Sequence, residues 1–238
     1  LIGGFIIRGS EQKKVILRGV GPSLNVPGKL DDPVIQLFNS ANVNIAGNDD
    51  WKTDQQNVES TGLAPSNDRE SAIVITLDPG NYTVVMRGKN NSSGIGVVDM
   101  FDIGLAANAR LANVSSRGFI GTGDDILIGG FIAGPQTAFV TRVVFRALGP
   151  SLSAFGVPQA MQDPTLEIRD RDGNLVASND DWQSNQKTEI AATGLQPNDP
   201  RESAIVLTNF EPGPYTAIVR GKNNTTGVGL VEIYDVQQ

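Results

Sequence analysis

Two copies of the tetrapeptide Asn-Asp-Asp-Trp are the residues of this chain best suited to chemistry, and they stand at 48–51 and 179–182. Adjacent carboxylates after a strand supply hard oxygen ligands, of which Ca²⁺ takes about six to eight. Two aspartates and an asparagine are too few for a calcium site on their own, so such a site would need further ligands from backbone carbonyls or from Asp31 and Asp163. The alternative is that the same side chains cap turns and the helix that follows. The four predicted ligands are Asp49, Asp50, Asp180 and Asp181.

The chain has two tryptophans, and each of them follows one of these Asp-Asp pairs. Beside a groove, Trp51 and Trp182 could stack on sugar rings, as tryptophans do in many carbohydrate-binding sandwiches. The alternative is that each tryptophan closes the core at a strand end, with its indole N–H bonded to a partner.

Histidine and cysteine are absent from the chain. Ser-His-Asp and Cys-His catalysis and zinc–thiolate sites are therefore excluded. A glycosidase needs only two carboxylates, but the acidic pairs here stand in turn-like sequence and no segment indicates a deep pocket. We therefore predict a protein that is not an enzyme.

Two further motifs occur twice, and neither indicates catalysis. Arg-x-x-Gly-Pro-Ser-Leu at 18–24 and 146–152 lacks the Gly-Lys-Ser/Thr and the following helix of a phosphate loop, so it predicts a tight turn after a strand. In Arg-Glu-Ser-Ala-Ile-Val, which begins at Arg69 and Arg201, the glutamate could form an ion pair across neighbouring strands, with Arg87 in the first copy and Arg220 in the second.

Charge and composition restrict the partners. The chain has 26 acidic and 19 basic residues, a net charge of −7, so we expect no nucleic-acid partner. No stretch approaches the roughly 20 apolar residues of a membrane helix, and we expect no membrane insertion. The 27 glycines and 13 prolines fall in short clusters between apolar runs, which is typical of an all-β protein.

The chain is a duplication, because all of these motifs recur in the same order. The offset between the copies rises from 126 residues (Leu1 to Leu127) to 133 residues (Arg87 to Arg220). Solenoid repeats are only about 20–50 residues long, whereas each copy here is long enough for a core of its own. We predict two domains, residues 1–106 and 107–238, with the linker near 106–108.

Alternation of apolar and polar residues predicts about seven or eight strands per copy, and at 165–169 it places Leu166 and Ile168 on the inward face. One short helix is predicted in each copy, at 54–61 and 185–193, with Asp54 and Asn185 as the expected N-caps. Tyr82 and Tyr215 follow Pro-Gly turns and are expected to be anchored by their hydroxyls. The predicted architecture is two tandem antiparallel β-sandwiches, jelly-roll-like or immunoglobulin-like.

The copies differ at their beginnings. A strand at 109–120 precedes Leu127, and nothing equivalent precedes Leu1. We therefore expect that this chain is a piece of something longer, and that such a strand from a preceding unit or another chain completes the first domain. The apolar residues of this assembly strand are Leu111, Val114, Phe119 and Ile120.

The repeated motifs, together with Pro-Gly-x-Tyr-Thr and Arg-Gly-Lys-Asn-Asn, resemble a repeat module of large secreted proteins of environmental bacteria. The resemblance covers nearly the whole chain. The last third of each copy, as at 77–83, is also similar to pre-peptidase C-terminal domains, which are accessory β-sandwiches. These resemblances imply export and a structural or accessory function, and they bring no catalytic residue.

Two functions remain open from the sequence. The first is an extracellular structural module of a bacterial surface array or filament, assembled end to end with other copies of itself. The alternative is a tandem carbohydrate- or matrix-binding module, in which two equal sites add avidity for a polysaccharide.

Overall fold

The structure is a computed structural model, which describes residues 1–105, 108–134 and 142–236. The chain is all-β, as predicted. It divides into two compact units, Leu1–Ala112 and Asn113–Gln238. The boundary predicted from the sequence falls at residues 106 and 107, which lie outside the described residues. No described helix is both long enough and apolar enough to span a membrane.

The described residues form fifteen strands and two short α-helices. The first unit contains β1 (Ile2–Gly9), β2 (Lys13–Val20), β3 (Pro33–Asn39), β4 (Asn44–Asn48), α1 (Gln55–Ser60), β5 (Ser71–Leu77), β6 (Gly80–Gly88) and β7 (Val97–Asp102). The next strand is β8 (Ala109–Ile120), whose residues 109–112 belong to the first unit and residues 113–120 to the second. The second unit continues with β9 (Leu127–Ala133), β10 (Arg142–Leu148), β11 (Pro164–Arg169), β12 (Leu175–Asn179), α2 (Lys187–Ala191), β13 (Ser203–Thr208), β14 (Gly213–Gly221) and β15 (Gly227–Asp235).

In the first unit, strands lie in the order β4-β3-β6-β1-β8 on one side of the core and β5-β2-β7 on the other. The pairs of β6 with β1 and β3, and of β2 with β5 and β7, are antiparallel. Alternate residues of each strand point inward, so Phe5 and Ile7 of β1 meet Val15 and Leu17 of β2 in one buried cluster.

The second unit repeats this arrangement. Its strand orders are β12-β11-β14-β9 and β13-β10-β15-β8, and the described pairings are antiparallel. Its core joins Leu166 and Ile168 of β11 to Phe145 of β10 and Val231 of β15. The inward positions predicted for Leu166 and Ile168 are confirmed, since neither has any exposed surface.

The two tyrosine anchors predicted from the sequence both form, by the same kind of hydrogen bond. The hydroxyl of Tyr82 donates to the carbonyl of Asp78, and that of Tyr215 to the carbonyl of Glu211, each over 2.8 Å. The prediction of hydroxyl anchoring is therefore confirmed.

Both short helices form inside the predicted ranges, but neither N-cap side chain makes a capping hydrogen bond. Asp54 stands at the N-cap of α1 and makes no capping bond, because its carboxylate accepts from the Asn57 amide instead. The N-cap of α2 is Gln186 in the left-handed conformation, at φ 53°, rather than Asn185.

A buried glutamate from the Arg-Glu-Ser-Ala motif holds each unit together locally. The side chain of Glu70 has no exposed surface. One oxygen accepts from the backbone N–H groups of Gly21 and Ser23, at 3.1 and 3.0 Å, and from the Ser23 hydroxyl at 2.6 Å. The other accepts from the N–H of Asn67. The Gly-Pro-Ser turn is thus bound to the start of β5.

Glu202 makes the same four contacts in the second unit, to Gly149, to Ser151 twice, and to Asp199. The ion pairs expected for this glutamate with neighbouring arginines are replaced by backbone donors. Cross-strand ion pairs form with other carboxylates instead: Arg18 binds both carboxylate oxygens of Asp99, and Arg220 lies 3.7 Å from Glu167 of the neighbouring strand.

We expect Glu202→Leu to lower the free energy of unfolding of the second unit by about 3 kcal/mol or more, because it leaves several buried donors without acceptors. Urea unfolding followed by Trp182 fluorescence, in a Trp51→Phe background, measures this unit alone. Glu211→Gln, at an exposed glutamate, is the matched control and should change stability by less than about 0.5 kcal/mol. Equal midpoints for the two variants would contradict the assignment.

Candidate metal centre

The antiparallel pairing of β3 with β4 brings three carboxylates of the first unit together. Asp32 directly precedes β3, while Asp49 and Asp50 directly follow β4, and Ile35 lies opposite Asn48 in the register. Oxygens of the three carboxylates lie within 4.8 Å of one another. Asp31, the additional ligand predicted from the sequence, is exposed and is not part of this group.

The second unit has the same group, made by Asp163 before β11 and by Asp180 and Asp181 after β12. Leu166 lies opposite Asn179, which reproduces the register of the first unit. The predicted Asp163 is therefore the third carboxylate, and its true counterpart in the first copy is Asp32.

A lysine ammonium lies at each carboxylate group. Nζ of Lys89 is 2.6 Å from Oδ2 of Asp49 and 3.8 Å from an oxygen of both Asp32 and Asp50. Nζ of Lys222 is 2.6 Å from Asp180 and 3.7 Å from Asp163. Each lysine directly follows the strand, β6 or β14, that pairs with the first carboxylate's strand.

The electrostatics match a charged lysine. Hydrogen bonding to Asp49 raises the pKa of Lys89, and the surrounding carboxylates raise it further. Bonding to Asp180 raises the pKa of Lys222 in the same way. Burial raises the pKa of Asp163, while Lys222 acts in the opposite direction.

Backbone and side-chain bonds fix the position of this group. The Ser71 hydroxyl donates to the backbone carbonyls of Pro33 and Asp49, and the Asn48 side chain accepts from the N–H of Ala72. After each lysine the chain turns through an asparagine in the left-handed conformation, Asn90 at φ 54° and Asn223 at φ 54°. Asparagine adopts this conformation more readily than most residues.

Some carboxylate oxygens are left without a partner. Oδ1 of Asp32, Asp49, Asp163 and Asp180 is buried and accepts no hydrogen bond from the residues that the structure describes. Hard oxygens in this state fit a divalent cation, which supplies the missing positive charge. The lysine ammonium already neutralises part of that negative charge. Each group of carboxylates therefore has oxygen ligands for Ca²⁺, but the ion would have to compete with the lysine for them.

The two tryptophans are not presented to solvent, since 6% of Trp51 and 8% of Trp182 is exposed. Trp51 packs with Ile16, Val58 and Ala72, and its indole N–H donates to the carbonyl of Asn67 at 3.0 Å. The buried indole N–H of Trp182 has no hydrogen-bond partner among the described residues, so the predicted bond forms in the first unit only. The burial of both side chains favours the interpretation as core residues over a sugar-stacking platform.

The assembly-strand residues divide between the two units. Leu111 packs against the core of the first unit, and Ile120 is fully buried in the core of the second. Val114 is half-buried, and Phe119 is 53% exposed. The strand therefore contributes to two cores with different parts of its length.

The lysine partner of the aspartates was not predicted. Lys89 and Lys222 stand in the repeated Arg-Gly-Lys-Asn-Asn motif, 40 residues after Asp49 and 42 residues after Asp180, and this recurrence is a signal that could have been used. The buried Glu70 and Glu202 carry no signal of burial on their own, because charged residues are seldom fully buried.

Comparison with known proteins gives no family. No protein-family model and no curated protein matches the chain. A chain in the solved structure described as "Life in the extremes: atomic structure of Sulfolobus Turreted Icosahedral Virus" is 8% identical, with a TM-score of 0.24. That match covers 97% of this chain and 85% of the viral chain. A likeness of this size carries no argument about fold or function.

We expect Lys222→Gln to destabilise the second unit at pH 8, because three carboxylates then lie together without the ammonium. The folded pKa of Lys222 is raised above 10.5, so its stabilisation is fully present below pH 10.5 and is lost as pH rises through the folded value. Urea midpoints measured from pH 8 upward should therefore converge with those of the unaltered protein. Lys187→Gln, at an exposed lysine of α2, is the control. No difference between the two variants at pH 8 would refute a stabilising ammonium.

Proposed function

We propose that this chain is a non-catalytic, extracellular structural module, part of a bacterial surface array or filament in which tandem β-sandwiches join end to end by strand complementation. Each unit would be one sandwich of the jelly-roll or immunoglobulin-like kind, since strands from its two sheets share one core. The resemblance to repeat modules of secreted bacterial proteins supports export. The partners would be other copies of the repeat.

One observation carries this proposal: equivalent strands of the two units differ in what lies beside them. In the second unit, β15 lies between β10 and β8, with residues 113–120 of β8 paired along its length. In the first unit, β7 pairs with β2 and ends its sheet among the described strands. The first unit thus has an unpaired edge where the second has an opening strand.

The burial of β7 agrees with an incomplete edge. In β15, Val231 and Ile233 are 1% and 5% exposed, whereas their counterparts in β7, Val98 and Met100, are half-buried. Val97, near the start of the same strand, is 41% exposed. An unpaired strand with apolar side chains is a ready acceptor for another strand.

One side chain partly fills the missing strand's place. A Cβ on Gly229 would lie 2.5 Å from Cδ1 of Ile120, and one on Gly96 would lie 2.6 Å from the methyl carbon of Met86. Met86 of the first unit therefore occupies the position that Ile120 of the opening strand takes in the second. Methionine is flexible enough to withdraw when a strand arrives.

The groove beside the second unit's Gly-Pro-Ser turn supports the non-catalytic part of the proposal. It has a volume of about 460 Å³, and its lining includes Phe155, Arg146 and Glu232. The Glu232 carboxylate accepts from the Arg146 guanidinium and from the Tyr234 hydroxyl. This carboxylate is held in a structural pair rather than directed at a substrate.

We expect a copy of residues 109–126, joined before Leu1, to complete the first unit in cis. Amide hydrogens of β7 should exchange more slowly with solvent. The melting temperature of the first unit should rise by roughly 4–8 °C for each kcal/mol that the added strand contributes to the free energy of unfolding. Met86→Val, which introduces the residue found at 219, should increase the gain. Hydrogen exchange resolved by residue and a thermal melt measure both effects.

The matched control carries Ile120→Asp in the added segment only, which places a charge where a fully buried isoleucine belongs. It should give neither effect. If the unaltered segment leaves β7 exchange unchanged, or if both segments protect it equally, strand complementation at this edge is wrong.

The second candidate function is calcium binding at the two carboxylate groups, favoured by their unpartnered buried oxygens. Asp32, Asp49 and Asp50 would hold the ion in the first unit, and Asp163, Asp180 and Asp181 in the second. The ion would add stability by binding the folded state alone.

We expect Ca²⁺ at millimolar concentration to raise the melting temperature relative to protein in chelator, and Asp49→Asn with Asp180→Asn to remove the difference. Mg²⁺ at the same concentration is the control for ionic strength and should have a smaller effect. Identical melts in Ca²⁺ and chelator would remove calcium from the proposal and leave the lysines as the cations of these groups.

A further inference from the structure

The hexapeptide Leu-Ile-Gly-Gly-Phe-Ile occurs at 1–6 and at 127–132, in equivalent strands. In β1, Phe5 lies opposite Tyr82 of β6, and in β9, Phe131 lies opposite Tyr215 of β14. The rings of both pairs are stacked, at 5.2 and 5.4 Å. The hexapeptides are identical and their inner neighbours are equivalent strands with the same register, so we attribute the difference in burial mainly to what lies on the outer edge.

The outer edges of the two strands differ. Beside β1 lies the beginning of β8, where Ala109 is 6% exposed and Leu111 packs against the first unit's core. The chain approaches closely there, since the N–H of Ser10 donates to the carbonyl of Asn108 at 2.9 Å. In the second unit, β9 is the last strand of its sheet among the described strands.

Burial follows this difference. Phe5 is 3% exposed, whereas Phe131 is only half-buried. Ile128 and Ile132 are 51% and 70% exposed, while the matching isoleucines of β1, at positions 2 and 6, are half-buried. The same six residues therefore have apolar surface uncovered in the second unit that is covered in the first.

We propose that the outer edge of β9 is an acceptor for the segment equivalent to residues 109–112 of a further copy of this repeat. This inference rests on the proposed assembly by strand complementation. The first acceptor of that proposal is the β7 edge of the first unit, and the β9 edge of the second unit is an additional one. The occupant is defined by the covered edge of β1: a small residue at the position of Ala109 and a leucine at the position of Leu111, both directed into the core.

One connecting strand then serves two edges. Residues 109–112 of β8 lie beside β1, and residues 113–120 pair with β15. A strand of this type between two repeats would cover the β9-type edge with its first four residues and the β7-type edge with the following eight. Each repeat would thus depend on the strand before it and on the strand after it.

The test joins a copy of residues 104–112 directly after Val236, which is the position equivalent to Ile103 in the first copy. The outward amides of β9 should exchange about tenfold more slowly or better, and the methyl signals of Ile128 and Ile132 should shift. The control carries Leu111→Asp in the added segment only. Exchange in β14, which is paired in every variant, reports that the unit is folded.

Protection of β9 by the unaltered segment and not by the control supports the acceptor. Unchanged β9 exchange, or equal protection by both segments, overturns it. The result is independent of the extension joined before Leu1, which is read at β7. Failure at β9 with success at β7 would reject the second acceptor alone, and failure at β7 would reject the assembly proposal.

Discussion

The buried glutamate of the Arg-Glu-Ser-Ala segment is the interaction on which each unit depends. A carboxylate with no exposed surface is costly to bury, and here four donors offset that cost. The next two residues extend the same network: the Ser203 hydroxyl donates to the carbonyls of Pro164 and Asp180, and the N–H of Ala204 to the Asn179 side chain. One short segment therefore sets the turn after β10, the start of β11 and the position of the carboxylate group.

This network explains why the carboxylate groups are alike in both copies without requiring that they bind a metal. The aspartates are brought together by backbone register and by serine and asparagine bonds, and Lys89 and Lys222 then neutralise part of their charge. The exposed lysines hold only a modest share of the stability, because a surface ion pair is screened by water.

Sequence patterns predicted much of this molecule, and the failures have a common cause. Strand alternation placed Leu166 and Ile168 inward, and the Pro-Gly turns identified Tyr82 and Tyr215 as anchors, because these features depend on neighbouring residues. The third carboxylate was assigned to Asp31 instead of Asp32, since a one-residue choice depends on strand register. The burial of Trp51 and of Glu70 depends on segments distant in the chain, which local periodicity does not report. The strand expected to complete the first unit stays a prediction, and it was drawn from the comparison of the two copies rather than from local pattern.

The duplication allows each sheet edge of one unit to be compared with the equivalent edge of the other. Other sheet edges are protected in both units alike: β4 and β12 are short, and β5 and β13 pack against the clusters formed by the tryptophan and the short helix. Among the described strands, β7 and β9 are the two edges that differ between the units. The counterpart of β7 is β15 and that of β9 is β1, and each counterpart has β8 beside the edge that is unpaired in its twin. Proteins commonly protect solvent-exposed edges with charge or proline, yet β9 reads Leu-Ile-Gly-Gly-Phe-Ile-Ala and carries neither. Because its twin β1 shares the hexapeptide and lies beside a covering strand, the apolar edge of β9 has the sequence of a covered strand, yet no described strand covers it.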